Sequence, residues 1–253
     1  MAGSFAGTAA AAYGAQALLR RQAATARRRI GKPLGEQALD ADRVWRQSSS
    51  GEPIELLLLG DSIAAGLGAQ HRRETLGARL AKGVGRRLGR PVRLRTAARV
   101  GAETSMLAGQ LDSLPGDYRP DVVVIVVGGN DVTHRVPVAA SVAQLEGAIE
   151  RARALGAGVV VGTCPDLGAL RPVPQPLRAL GGRQSRHLAT AQAVAALRLG
   201  ARPVSLRRAV GHLFVAHPDE MFSADRFHPS ALGYRRTAEA LLPAVVAAVH
   251  DSP

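Results

Sequence analysis

From Ile54 to the C-terminus, short unbroken apolar runs alternate with stretches in which apolar residues recur every three or four positions. The runs at 54–59, 92–97, 122–127, 159–161 and 203–206 have strand length and no polar alternation, as expected of strands buried on both faces of a parallel sheet. Helical spacing occupies 74–88, 104–114, 139–155, 183–199 and 230–249. Five strands with helices between them predict one three-layer α/β/α domain over residues 54–253, built on a five-stranded parallel sheet. Residues 168–182 carry Pro172, Pro174 and Pro176, which interrupt helical continuity, so this stretch is expected to be an ordered excursion over one face.

The chain upstream has a different character. Residues 5–19 are Ala/Gly-rich and uncharged, and Arg20, Arg21, Arg27, Arg28, Arg29 and Lys32 follow them. A secretion signal places its charge before the apolar run and a small-residue cleavage site after it, the reverse of this order. The run is also interrupted by Thr8, Tyr13 and Gln16, short of the roughly 20 strongly apolar residues of a membrane span. Residues 1–30 therefore read as a candidate membrane anchor with three forms open: an interfacial helix with its basic flank on anionic lipid, a remnant of a longer anchor, or an Ala-rich soluble helix. A spanning form would leave the body of the protein cytoplasmic by the positive-inside rule. The polar residues 31–53, with Ser48, Ser49, Ser50 and Gly51, read as a linker.

Composition narrows the partners. The 253 residues suffice for one buried core. The formal charge of +13 comes mainly from arginines scattered through helices and loops alike, and aromatics make up only 3%. With few rings to stack bases and no cysteine set for a zinc finger, no nucleic-acid partner is expected. The single Cys164 excludes an intramolecular disulfide.

Ligands of open α/β sheets bind outside the carboxyl ends of the strands, and polar residues gather there in this chain. The first strand runs into Gly60, Asp61, Ser62 and later Gly66 and Gly68, a pattern that fits neither dinucleotide nor P-loop spacing. Ser62 can attack a carbonyl from such a turn, or merely cap the next helix. The third strand ends in Gly128, Gly129, Asn130 and Asp131, and Asn130 offers an amide donor for an oxyanion or a turn cap. Gly101, after the second strand, could add a backbone N–H. Asp225 and His228, three residues apart before the last helix, could supply a base and the carboxylate that orients it, or could be ordinary turn residues.

Taken together, these blocks resemble the SGNH hydrolases, also called GDSL esterases and lipases. GDSIAAG at 60–66, GGND at 128–131 and DRFHPS at 225–230 stand in the family's order, and Gly101 falls where its second block places a glycine. The resemblance implies a flavodoxin-like fold, a catalytic triad of Ser62, Asp225 and His228, and an oxyanion hole from the amides of Ser62 and Gly101 and the side chain of Asn130. Where the family often has Asn two positions before that glycine, this chain has Arg99. NDVTH at 130–134 and GTCPDLG at 162–168 further resemble an actinobacterial group described as exported or membrane-tethered, so the localisation expected is membrane-associated or exported, with cytoplasmic as the alternative.

The expected activity is hydrolysis of a small-molecule ester, without cofactor or metal. Acyl transfer to an alcohol at the same site and a non-catalytic basic binding module are the competing function classes. His134 reads as a residue supporting the cleft, Cys164 as core, and His212 and His217 lack a third ligand at a metal spacing. Residues 67–73 are short and end in His71, Arg72 and Arg73, while 168–182 offers apolar side chains interrupted by prolines and arginines. A short acyl group is expected rather than a fatty chain, because no extended apolar groove is legible in these loops.

Overall fold

The computed structural model describes residues 3–46 and 49–250. Parts of the anchor, linker and C-terminal readings, at 1–2, 47–48 and 251–253, lie outside the described residues, as do the side chains of 3–12, Thr8 among them. The chain begins with helix α1 (Gly3–Ile30) and continues through β1 (Val44–Trp45), β2 (Ile54–Gly60), α2 (Ser62–Ala65), α3 (Leu76–Leu88), β3 (Val92–Thr96), α4 (Leu107–Asp112) and β4 (Val122–Val126). It is completed by α5 (Gly129–His134), α6 (Val138–Ala154), β5 (Gly158–Gly162), α7 (Leu177–Arg198), β6 (Arg202–Val204), α8 (His212–Ala216), α9 (Pro218–Met221) and α10 (Ala231–His250).

The sheet has the order β1-β3-β2-β4-β5-β6. Strands β2 to β6 pair in parallel, and β1 adds an antiparallel edge to β3. The five parallel strands are those expected from the apolar runs, while β1 arises inside the stretch read as a linker. Val44 and Trp45 seat against Arg93 and Val92 there, too short an apolar pair to announce a strand.

Alternate residues of the central strands face opposite layers, which is why neither face can carry polar positions. Leu56, Leu58, Val122 and Val124 pack with Leu80 of α3 and Leu241 and Val245 of α10. Leu57, Leu59, Val123 and Ile125 pack with Leu107, Leu145 and Ile149 from α4 and α6. Each such side chain, fully removed from water, contributes about 1.5–3 kcal/mol. The two cores make the domain a three-layer sandwich.

Helix α7 starts six residues before the expected boundary. All three prolines of the excursion precede it, and Pro176 sits immediately before the first turn, where a missing N–H costs no intrahelical bond. Between β6 and α10, the chain forms a π-helical turn (Arg207–Gly211) followed by α8 and α9.

Candidate active site

The chain reverses its direction across the sheet at β2, whose neighbours are β3 on one side and β4 on the other. That switch point is where an open α/β sheet forms a crevice, and both glycine-rich turns leave the sheet there. Gly60 pairs with Val126 at the ends of β2 and β4. Its φ is +131°, and a Cβ would lie 1.9 Å from the Val126 carbonyl oxygen, so only glycine lets the strand turn this closely against its neighbour.

Ser62 is the first residue of α2, and its N–H has no acceptor within the helix. Asp61 caps the helix by accepting from the Ile63 amide at 2.9 Å. The Asp61 carboxyl is buried, and that burial pushes it up to about 6, against the opposing pull of hydrogen bonds from the Ile63 and Gly129 amides and of nearby His228. Asp61 thus joins the serine turn to the turn that carries Asn130.

The loop before α10 brings in the other two residues. His228 Nε2 lies 2.9 Å from Ser62 Oγ, and His228 Nδ1 lies 2.5 Å from Asp225 Oδ2. Asp225 Oδ1 accepts from the Phe227 and His228 amides at 2.9 and 3.0 Å. Burial works to raise the Asp225 carboxyl, but the bonds from the His228 ring and from the two amides outweigh it and hold the carboxyl below its ordinary range. The Phe227 ring meets the imidazole edge-on at 4.9 Å between centroids. On the other side, Gly68 makes room for the loop: a Cβ there would lie 2.5 Å from the Pro229 carbonyl oxygen and 3.2 Å from His228 Cβ. Such a serine–imidazole–carboxylate chain can activate the hydroxyl as a nucleophile.

Asn130 donates one side-chain N–H to the Ala102 carbonyl at 2.9 Å. The buried Asp131 accepts from the Thr104 amide at 3.1 Å. Two consecutive residues of α5 therefore clamp the loop that carries Gly101, and the second N–H of Asn130 is unclaimed among the described residues. Gly101 is exposed at φ +80°, and its amide is likewise unclaimed there. His134 hydrogen-bonds Glu103 of the same loop at 2.6 Å, on the exposed rim.

Cys164 is buried, and that burial drives its thiol well above the ordinary range. Among the described residues, no group of three or more His, Cys, Asp or Glu side chains could hold a metal ion.

A cavity of about 70 Å³ opens beside Ser62 and Asn130. Its apolar wall comes from Leu167 and Leu170 after β5, from Leu206, Val210 and Phe214 after β6, and from Phe222. The sequence reading looked for an acyl groove only in the loops at 67–73 and 168–182, of which Leu170 does line the cavity, and missed the stretch after β6. Its signal was present, since 206, 210 and 214 follow one another at intervals of four, a helical stripe.

Two buried glutamines were also missed. Gln110 of α4 accepts from the Gly60 N–H and donates to the Gly60 C=O, each at 2.8 Å. Gln192 of α7 donates to Val127 O and accepts from Cys164 N. Both stand on the inward faces of helices, where a lone polar residue in an apolar stripe is the only trace.

Helix α1 docks through Gln22, which accepts from the Leu177 amide at 3.0 Å and donates to the Gln175 carbonyl, and through Arg29, which donates to Pro172. Tyr13 and Leu18 are exposed. No helix among the described residues is long and apolar enough to cross a membrane.

Comparison with known proteins gives the family and the fold. The GDSL-like lipase/acylhydrolase family matches residues 58–236. A GDSL-like esterase of Mycobacterium tuberculosis is 39% identical over 256 residues, covering 96% of this chain and 81% of that protein. Among solved structures, TesA superposes with a TM-score of 0.58 at 26% identity, over 75% of this chain and 97% of its own. An acetylxylan esterase of Geobacillus stearothermophilus superposes with a TM-score of 0.61 at 19% identity, over 78% and 96%, a likeness of fold.

Proposed function

The chain belongs to the GDSL-like lipase/acylhydrolase family and is a serine esterase of that type, and on this premise we propose that Ser62 attacks short-chain carboxylic esters with His228 as its base and Asp225 as the orienting carboxylate. The observation that carries this reading is the unbroken hydrogen-bond chain from Ser62 Oγ through His228 to Asp225.

In the first half of the reaction, the Ser62 proton passes to His228 Nε2 as Oγ bonds to the carbonyl carbon. Asp225 keeps the other ring proton on Nδ1 and stabilises the imidazolium that forms. The oxyanion meets the amides of Ser62 and Gly101 and the free N–H of Asn130, donors held in place before charge develops. His228 then gives its proton to the alcohol oxygen, the carbon–oxygen bond breaks, and the alcohol leaves an acyl-serine. Water, deprotonated by the same imidazole, releases the carboxylic acid and restores Ser62.

The size of the cavity supports a short acyl group. The cavity, about 70 Å³, is closed by the Leu170 and Phe214 side chains rather than drawn out into a long groove. The test is a series of p-nitrophenyl esters assayed below their micelle limits. Acetate and butyrate are expected to give higher kcat/KM than dodecanoate and palmitate, and a preference rising through dodecanoate contradicts the reading. Product analysis with and without added glycerol checks the acceptor: free acid is expected in both, and glyceride formation would move the assignment to acyl transfer.

A further inference from the structure

The Pro-Asp-Leu run at 165–167 has no part in the chemistry above, yet it stands in the wall of the cavity. Asp166 Oδ1 caps the 3-10 turn Leu167–Ala169 by accepting from the Gly168 amide at 2.8 Å. Its Oδ2 lies 3.3 Å from Arg186 Nη1 on α7 and 3.4 Å from Arg207 Nε at the start of the π-helical turn. Leu167 is fastened to α7 as well, through its amide and Ser185 Oγ at 3.1 Å. One half of the cavity wall is therefore anchored to a long helix. The other half, Leu206 to Phe214, is carried by a five-residue π-helical turn, a rare form that occurs mostly as single turns, frequently at functional sites, with Leu206 and Val210 seated in the core beneath it.

Two polar contacts add to the packing of Phe214 against Leu167, Leu170 and Phe222 in joining the second half to the first: the Arg207–Asp166 ion pair, and the bond from Arg171 to the Val215 carbonyl at 3.3 Å. From this we infer that Asp166 is a specificity-determining latch, which holds the π-helical wall against the loop after β5 and so limits the length of acyl chain the cavity takes. The inference rests on the esterase reading and deepens it. Its physical basis is the sharing of one carboxylate oxygen by two guanidinium groups. With the carboxylate present, each arginine is attracted to the same point. Without its charge, Arg186 and Arg207 face one another as like charges, and the wall that can yield is the one on the π-helical turn. Loss of the latch should widen the cavity toward longer chains and leave the reacting atoms in place.

Asp166→Asn removes the charge and keeps a side-chain oxygen able to cap Gly168. Arg207→Gln removes the partner from an exposed position. In both variants the ratio of kcat/KM for p-nitrophenyl octanoate over acetate is expected to rise about two- to fivefold, the range that a partly exposed ion pair can supply. In Arg207→Gln, at a position that does not line the cavity, acetate turnover should stay within about twofold of wild type. The double variant should change the ratio no more than Asp166→Asn alone, because both substitutions break one contact. An unchanged ratio in both single variants, additive effects in the double variant, or an equal fall at every chain length overturns the latch. Fluorophosphonate labelling separates this failure from that of the esterase reading. Labelled wild type with an unchanged ratio removes only the latch, whereas unlabelled wild type removes the serine mechanism and the latch with it.

Discussion

Gln110 brackets the peptide group of Gly60, accepting its N–H and donating to its C=O at 2.8 Å each, and so fixes the strand end from which Asp61 and Ser62 emerge. The Gly60 carbonyl has a second donor in the Arg99 amide at 3.1 Å, but its N–H depends on Gln110. Gln110→Ala is expected to lower stability by about 1–3 kcal/mol, the cost of an unsatisfied buried donor. Urea denaturation measures it, and kcat should fall alongside with KM near wild type. A variant as stable as wild type would show that the bracket contributes little.

Asn130 has two tasks, one N–H on Ala102 and one free at the cleft. Asn130→Ala is expected to reduce kcat on the order of 100-fold to 1,000-fold with a much smaller change in KM, since the amide acts on charge that appears only in the transition state. Steady-state kinetics with p-nitrophenyl butyrate decides it. An effect confined to KM would assign Asn130 to substrate recognition instead.

The buried Asp61 gives the protein a definite pH dependence. Its carboxyl, raised by burial to about 6 from an ordinary 3.8, binds a proton more readily in the folded state than in the unfolded chain. Folding is therefore penalised when Asp61 is ionised, fully above about pH 6, and the penalty fades as pH falls from about 6 to 4. The interval corresponds to about 3 kcal/mol. In Asp61→Asn this penalty is absent, although its bond to the Gly129 amide is weakened. The stability of the variant relative to wild type should thus rise between pH 4 and pH 7. Paired melting curves across that window check the sign, and a flat or falling difference contradicts it.

The scaffold was legible in the sequence because its central strands cannot hide their character. Val122 to Val126 are buried on both faces, and an unbroken apolar run is what such burial demands. The turns that carry Ser62, Asn130 and His228 were legible only in combination: each alone reads equally as a cap or a turn, and it is the order GDSIAAG, GGND and DRFHPS along the chain that singles them out. The cavity wall was not. Arg207 meets Asp166 across 41 residues, and neither residue type nor local spacing announces such a contact. Strand β1 was hidden because two residues borrow their strand conformation from the edge of β3.

Helix α1 carries exposed arginines at 20, 21, 27, 28 and 29 beside an Ala-rich, uncharged half. We propose that it rests on anionic lipid. Deleting residues 1–30 should preserve esterase activity while reducing cosedimentation with phosphatidylglycerol vesicles, and the binding of the full chain should weaken as salt rises. Equal partitioning of the two proteins would make α1 an ordinary helix of the soluble body.

The nucleophilic role of Ser62 is most directly tested by intact-mass analysis after exposure to a fluorophosphonate probe. The wild-type chain is expected to gain one adduct, mapped by peptide sequencing to Ser62, and to lose esterase activity in proportion. Ser62→Ala is expected to remain unmodified and inactive with an unchanged melting temperature, since the substitution removes one hydroxyl from the start of a four-residue helix. Wild-type turnover in Ser62→Ala, or an adduct on another residue that accounts for the lost activity, would contradict the account.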